Sequence, residues 1–189
     1  GISANFGWFI PHPAFTFGVE GRIGYQISNM FSAFLIAGGT AGFGGGANAN
    51  ATGGSGWIIG VGYGFVGAVA ELIFGDLFYV GGGPVVGFGG YGLAGVAAGT
   101  GGASVTAAAA GGAAPGLDIR LGLGFGRPHD PPSFRRGGFN LGLTGKLLFH
   151  TSTAVTRVDA SMGGAGVNVT TNELTVSFTP MVTLGYDGR

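Results

Sequence analysis

Along residues 174–186 every second position is apolar: Leu174, Val176, Phe178, Pro180, Val182, Leu184 and Tyr186 alternate with Thr175, Ser177, Thr179, Met181, Thr183 and Gly185. Side chains of a strand point alternately to opposite faces, so this segment predicts a strand with one oily face and one polar or close-packed face. The same period recurs over residues 15–27, where Phe15, Phe17, Val19, Gly21, Ile23, Tyr25 and Ile27 oppose Thr16, Gly18, Glu20, Arg22, Gly24 and Gln26. It recurs over 117–127, with Leu117, Ile119, Leu121, Leu123 and Phe125 opposite Asp118, Arg120 and three glycines. A further copy covers 139–150, with Phe139, Leu141, Leu143, Gly145, Leu147 and Phe149 opposite Asn140, Gly142, Thr144, Lys146 and His150. In each strand that carries charge, the charge lies on the face away from the oily one.

The middle of the chain follows the rule less cleanly. Trp57, Ile59, Val61, Tyr63 and Phe65 alternate, but the next apolar set is Val66, Ala68, Ala70, Leu72 and Phe74. With the apolar set taken as outward throughout, the phase slips at Phe65-Val66, which predicts a β-bulge that turns Glu71 inward. Residues 31–44 and 78–93 are rich in glycine and alanine and are assigned as strands from context; Pro84 has no N–H to donate and is expected at a bulge or irregularity. A first strand over 2–10, turned by Pro11-His12-Pro13, brings the count to eight. Short turns at 28–30, 75–77 and 127–137 alternate with long loops at 45–55 and 97–115 and a polar hairpin at 151–172, which places both termini at the short-turn end. The predicted fold class is all-β: an antiparallel up-and-down transmembrane β-barrel of about eight strands, with residues 1–189 as a single domain.

Composition supports that reading. Charged residues make up 8% of the chain, against roughly 25% in an average soluble domain, so a soluble surface is hard to build from it. The 45 glycines also argue against membrane helices within the uncharged span 23–70, because each costs a helix interior about 1 kcal/mol relative to alanine. A formal net charge of zero leaves no nucleic-acid footprint, and the lack of cysteine excludes disulfides and thiolate metal sites. The first residues carry no basic segment followed by an apolar run, so the sequence is expected to be that of a mature chain.

Taken together, the strand count, the alternation of turn lengths and the terminal strand ending at Tyr186 resemble the small eight-stranded outer-membrane β-barrels of bacteria. The resemblance spans essentially all 189 residues. It implies a bacterial outer-membrane location, contact with membrane lipids and lipopolysaccharide, and delivery by the barrel-assembly machinery, to which such proteins present an aromatic-ended last strand. Asp187-Gly188-Arg189 follows Tyr186, whereas members of this family usually stop at the aromatic residue.

Six charges fall on the inner face, Glu20, Glu71 and Asp118 against Arg22, Arg120 and Lys146. They balance, and buried charges persist when paired, so they predict an ion-paired lumen network. An eight-stranded barrel is just wide enough to be filled by side chains, whereas open porins need about sixteen strands, so a general porin is excluded. The inward glycines pull the other way and leave room for a thin file of water. Two aromatic girdles are predicted, with Trp8, Trp57 and Phe149 (and Tyr91) toward the long-loop end and Tyr25, Phe78, Phe125, Phe139 and Tyr186 toward the short-turn end.

Candidate chemistry is sparse. His150-Thr151-Ser152 is similar to the His-x-Ser element of outer-membrane lipid A deacylases, with Glu173 as a conceivable orienting acid. By the alternation, however, His150 faces inward, away from lipid, and reads as a rim histidine. His12 and His129 are isolated turn histidines, so no metal site and no cofactor are expected. Arg127, Arg135 and Arg136 form the one basic cluster, suited to lipid head groups. The first functional reading is therefore a structural or surface-exposed barrel that is not an enzyme. Beside it stand a narrow channel or lipid-binding barrel and a secreted glycine-rich β-fibre protein. Outward glycines are compatible with an oligomer interface.

Overall fold

The computed structural model describes the backbone of all residues except 11–12, 29, 76, 101, 129–135, 151–153, 162–163, 172–174 and 188–189, and within the strands all side chains except those of 108, 110, 127–128, 136–137, 154–161, 164–171 and 175. Ten strands follow one another: β1 (Ile2–Phe9), β2 (Ala14–Ser28), β3 (Phe31–Asn50), β4 (Gly53–Phe74), β5 (Phe78–Gly99), β6 (Gly102–Pro128), β7 (Arg136–His150), β8 (Ala154–Ser161), β9 (Gly164–Thr171) and β10 (Thr175–Asp187). Eight of these, β1 to β7 and β10, close into an antiparallel ring, the first strand pairing with the last and β5 with β6. The protein is thus an all-β closed barrel.

The alternation in β2, β6, β7 and β10 translates directly into two faces. Ile23 is 76% exposed on the outside, while Glu20 and Thr16 of the same strand are buried inside. The register carries aromatic residues to the same height on neighbours: Tyr186 of β10 lies opposite Phe139 of β7, and Phe139 opposite Phe125 of β6. At the tight β4–β5 turn Gly75 has φ of 56°, a left-handed conformation that glycine adopts without steric cost.

The predicted bulge at Phe65-Val66 is absent. Strand β4 pairs with β3 in one unbroken register from Leu72 opposite Phe31 to Gly53 opposite Asn50. The phase of β4 is instead constant, and Ile59, Val61, Tyr63 and Phe65 are buried on the inside, with Gly60, Gly62 and Gly64 outside. Trp57 shares the inward phase and packs against the interior cluster, so it does not belong to an outer girdle. Tyr91 likewise faces inward, its ring centroid 5.7 Å from that of Phe9. The described register shift lies between Gln26 and Ser28, at the end of β2. At Pro84 the β4–β5 ladder lapses opposite residues 68–69 and resumes in the same register, as expected of a residue without an N–H.

The segments 45–55 and 97–115 are not long loops. They continue the ladder of β3–β4 up to a turn at 51–52 and that of β5–β6 up to the pairing of Gly99 with Gly102. One side of the barrel is therefore a tall wall that stands above the short strands β1 and β2. The polar hairpin is formed by β8 and β9, which pair with each other, while β8 extends the wall through Ser104 to Ala107 of β6.

Candidate functional site

The interior is built in layers. In the lower layer β2 contributes Glu20 and Arg22, β4 Glu71, β6 Asp118 and Arg120, and β7 Lys146. All except Arg22, whose side chain is nonetheless largely enclosed, are buried residues. Asp118 and Lys146 are directly opposed on adjacent strands, and Lys146 Nζ lies 2.5 Å from Asp118 Oδ2 and 3.0 Å from Glu20 Oε2. Arg120 donates from Nε to Asp118 Oδ1 at 2.8 Å and from Nη1 to Glu20 Oε1 at 3.0 Å. Its Nη1 also lies 3.8 Å from Glu71 Oε1, which is 3.5 Å from Arg22 Nη1. The shared carboxylates make one connected network, in which each desolvated charge faces an opposite one, the condition for retaining ions in a low-dielectric interior.

A seventh member lies beyond the set expected from sequence. Asp187, at the end of β10, faces inward and takes a two-point contact from the Arg22 guanidinium, with Nε–Oδ1 at 2.6 Å. Among the described residues the side-chain charges in the lumen are therefore Glu20, Glu71, Asp118 and Asp187 against Arg22, Arg120 and Lys146, four acids to three bases. The alternation that reaches Tyr186 places Asp187 inside, which was the available signal.

Above the ions sits an apolar layer: Phe9, Ala14, Ile36, Ile59, Val61, Phe65, Val85 and Leu148 form one buried cluster. Phe65 is the seam between the layers, with Lys146 Nζ 4.1 Å from its ring centroid, a cation–π distance. Inward glycines make this layer fit. A Cβ at Gly38 would lie 2.7 Å from the Phe65 ring, and one at Gly87 would lie 2.8 Å from Leu148 Cδ1. At these two positions the glycines hold room for large neighbours.

The predicted girdle residues Trp8, Tyr25, Phe78, Phe125, Phe139 and Tyr186 are exposed on the outside of the ring. Phe149 has the same outward phase and is half-buried. Trp8 meets Phe15 edge-on at 5.6 Å, and Phe139 meets Tyr186 edge-on at 5.5 Å. Among the catalytic candidates, Ser152 and Glu173 lie outside the described residues, as do His12, His129, Arg135 and the side chains of Arg127 and Arg136. His150 is buried, and its Nε2 is 2.8 Å from Ser177 Oγ on β10, a pairing that spacing along β7 could not reveal. Both groups are enclosed. Among the described residues no group of His, Asp or Glu is placed to hold a metal ion.

Below the ion layer, at the end where the chain termini lie, the lumen opens into a cup of about 450 Å³. Arg22, Ser32, Glu71, Asn140 and Asp187 line it together with Phe34, Ile73 and Tyr79. No protein-family model, characterised protein or solved structure matches the chain. Its own geometry defines the class: a closed eight-stranded β-barrel with a filled interior.

Proposed function

We propose that this chain is a bacterial outer-membrane barrel with a sealed lumen, serving a structural or surface-display role without catalytic activity. One observation carries the reading: every charged side chain among the described residues points into the ring, while the outer face carries exposed Ile, Leu, Val and Phe with glycine and alanine between them. A soluble monomer rarely exposes apolar patches beyond a few hundred Å², whereas lipid supplies a solvent for such a face. The band has the matching height. From Val176 to Tyr186 along β10, as from Phe15 to Tyr25 along β2, about ten residues at ~3.3 Å each and a tilt of ~40° span roughly 25 Å, the apolar thickness of such barrels.

The layered interior supports a closed lumen, since paired ions fill its lower part and a buried apolar cluster lies above them. Membrane lipids, lipopolysaccharide and the barrel-assembly machinery are the partners this reading implies. The tall wall and the β8–β9 hairpin would project from the surface. The test is a pair of measurements on detergent-extracted protein. Gel migration is expected to differ before and after boiling, and planar bilayers are expected to show no stepwise current. A chain that stays monomeric and soluble without detergent would overturn the membrane reading. Val19→Arg, on the outer face near mid-band, is expected to cost about 2–4 kcal/mol of folding stability in lipid vesicles; an indifferent response would place that face in water.

A further inference from the structure

Closure of the ring removes the edges of the barrel but not those of the tall wall above it. The β2–β3 ladder ends where Phe15 pairs with Phe43, so residues 45–50 pair with β4 on one side and, among the described residues, with no strand on the other. All of these positions are exposed. At the far side of the wall β9 pairs with β8 alone. On such a strand every second residue directs its N–H and C=O away from the existing partner, which makes the edge a template for a further strand. Natural edges are usually blunted by lysine, proline or a bulge. Residues 45–50 read Gly-Gly-Ala-Asn-Ala-Asn and β9 reads Gly-Ala-Gly-Val-Asn-Val-Thr-Thr, with neither charge nor proline, and the β3–β4 register runs unbroken to its turn. The tip is fixed as well, since Asn50 Oδ1 accepts from the Thr52 amide at 3.0 Å and from its hydroxyl at 2.9 Å.

Direction and register identify the partner. Five antiparallel pairings lead from β3 through β4, β5, β6 and β8 to β9, so the two edge strands run in opposite directions. Followed across those pairings, Ala47 lies on one row with Gly56, Val96, Val105, Ala160 and Ala165. The two edges therefore border the same band of sheet. In two copies inserted into a membrane in the same sense, one β3 edge runs parallel to the other, whereas β3 of one copy runs antiparallel to β9 of the next. Antiparallel ladders are the more stable per residue, so the chain carries at one edge of its wall the complement to the other.

We propose that residues 45–50 of one copy pair antiparallel with β9 of a second copy, joining the tall walls into one sheet above the barrels. The contact is head-to-tail, so every pairing leaves one further edge open and the assembly extends as a row or closes as a ring. The preference for β9 over a second β3 rests on the membrane reading, while the edges themselves need only the wall. The chain has no cysteine, so introduced thiols report proximity without background. Full-length chains carrying Ala165→Cys and either Ala47→Cys or Ala49→Cys, under different tags, are folded together in lipid vesicles and oxidised; a shift of two residues keeps the same face, so both registers are covered. For one of the two, the mixed disulfide is expected to exceed the products between two copies of the same variant by about tenfold, and a chain with both substitutions is expected to give a ladder of multimers. Ala47→Lys, at an exposed position, is expected to leave heat-modifiable migration unchanged and to lower the Ala49→Cys to Ala165→Cys product by about tenfold. Flotation of the vesicles tests the membrane reading separately: mixed disulfides in chain that does not float would keep the pairing and sink that reading. No mixed disulfide, products confined to like variants, a bond within a single chain, or cross-linking unmoved by Ala47→Lys would overturn the proposal.

Discussion

The lower and upper halves of the lumen fill the same cylinder by opposite means. Below, Glu20, Asp118, Arg120 and Lys146 occupy the space as paired ions. Above, Ile59, Phe65 and Leu148 occupy it as an apolar cluster set into glycine-lined recesses. The ionic half depends on completeness, because removing one member strands its partners without water. The apolar half depends on volume, because its contacts are numerous, weak and replaceable in part.

That difference orders the expected effects of substitution, read as shifts in the urea midpoint of the barrel in lipid vesicles. Lys146→Ala is expected to cost the most, about 3–5 kcal/mol, since Lys146 is 0% exposed and its loss leaves Glu20 and Asp118 under-compensated. A loss below about 1 kcal/mol would mean that water reaches the ions and that the halves are not opposites. Leu148→Ala is expected to cost about 3 kcal/mol through an unfilled cavity, with the ion network left intact. Gly38→Ala, small as it is, drives a Cβ against the Val19 carbonyl oxygen and the Phe65 ring and is expected to cost about 1–3 kcal/mol. Gly60→Ala is the control: nothing lies within 4 Å of its Cβ position on the outer face, so a change within about 0.5 kcal/mol is expected. Equal effects at Gly38 and Gly60 would remove the assignment of inward and outward glycines.

The same contrast explains what could be read from sequence. In β2, β6, β7 and β10 one face is oily and the other polar, so period and direction come together, and Glu20, Arg22, Asp118, Arg120 and Lys146 are legible as inward residues. In β4 the period is equally clear, but the direction is not. Residues 57–65 set large apolar side chains against glycine, and which set faces in depends on recesses supplied by Gly38 and Gly44 of β3, beside Phe65 and Ile59, information held elsewhere in the chain. Leu148 follows the same logic as an apolar side chain in an inward position of β7. The tall wall was illegible for another reason. Its upper residues, such as Ala47, Asn48, Ala97 and Ala98, are exposed whichever way they point, so no two-faced pattern marks them, and the backbone ladder alone makes them strands. The Ser177 partner of His150 and the meeting of cup-lining residues from several strands arise from register between distant segments.

The distribution of the ions along the chain also bears on how the barrel forms. Glu20 meets Lys146 across 126 residues, and Arg22 meets Asp187 across 165. The pairing of Ile2 with Tyr186 that closes the ring is the step that brings the last acid to its base. The complete set of ion pairs inside the lumen is therefore a property of the finished cylinder and of no shorter piece of it. A sheet lacking β10 leaves Arg22 without its two-point partner and presents the remaining ions along an open edge. Contacts of such long range make assembly slow, and here they also favour an all-or-none step, since Arg22 gains its two-point partner only when the first and last strands join.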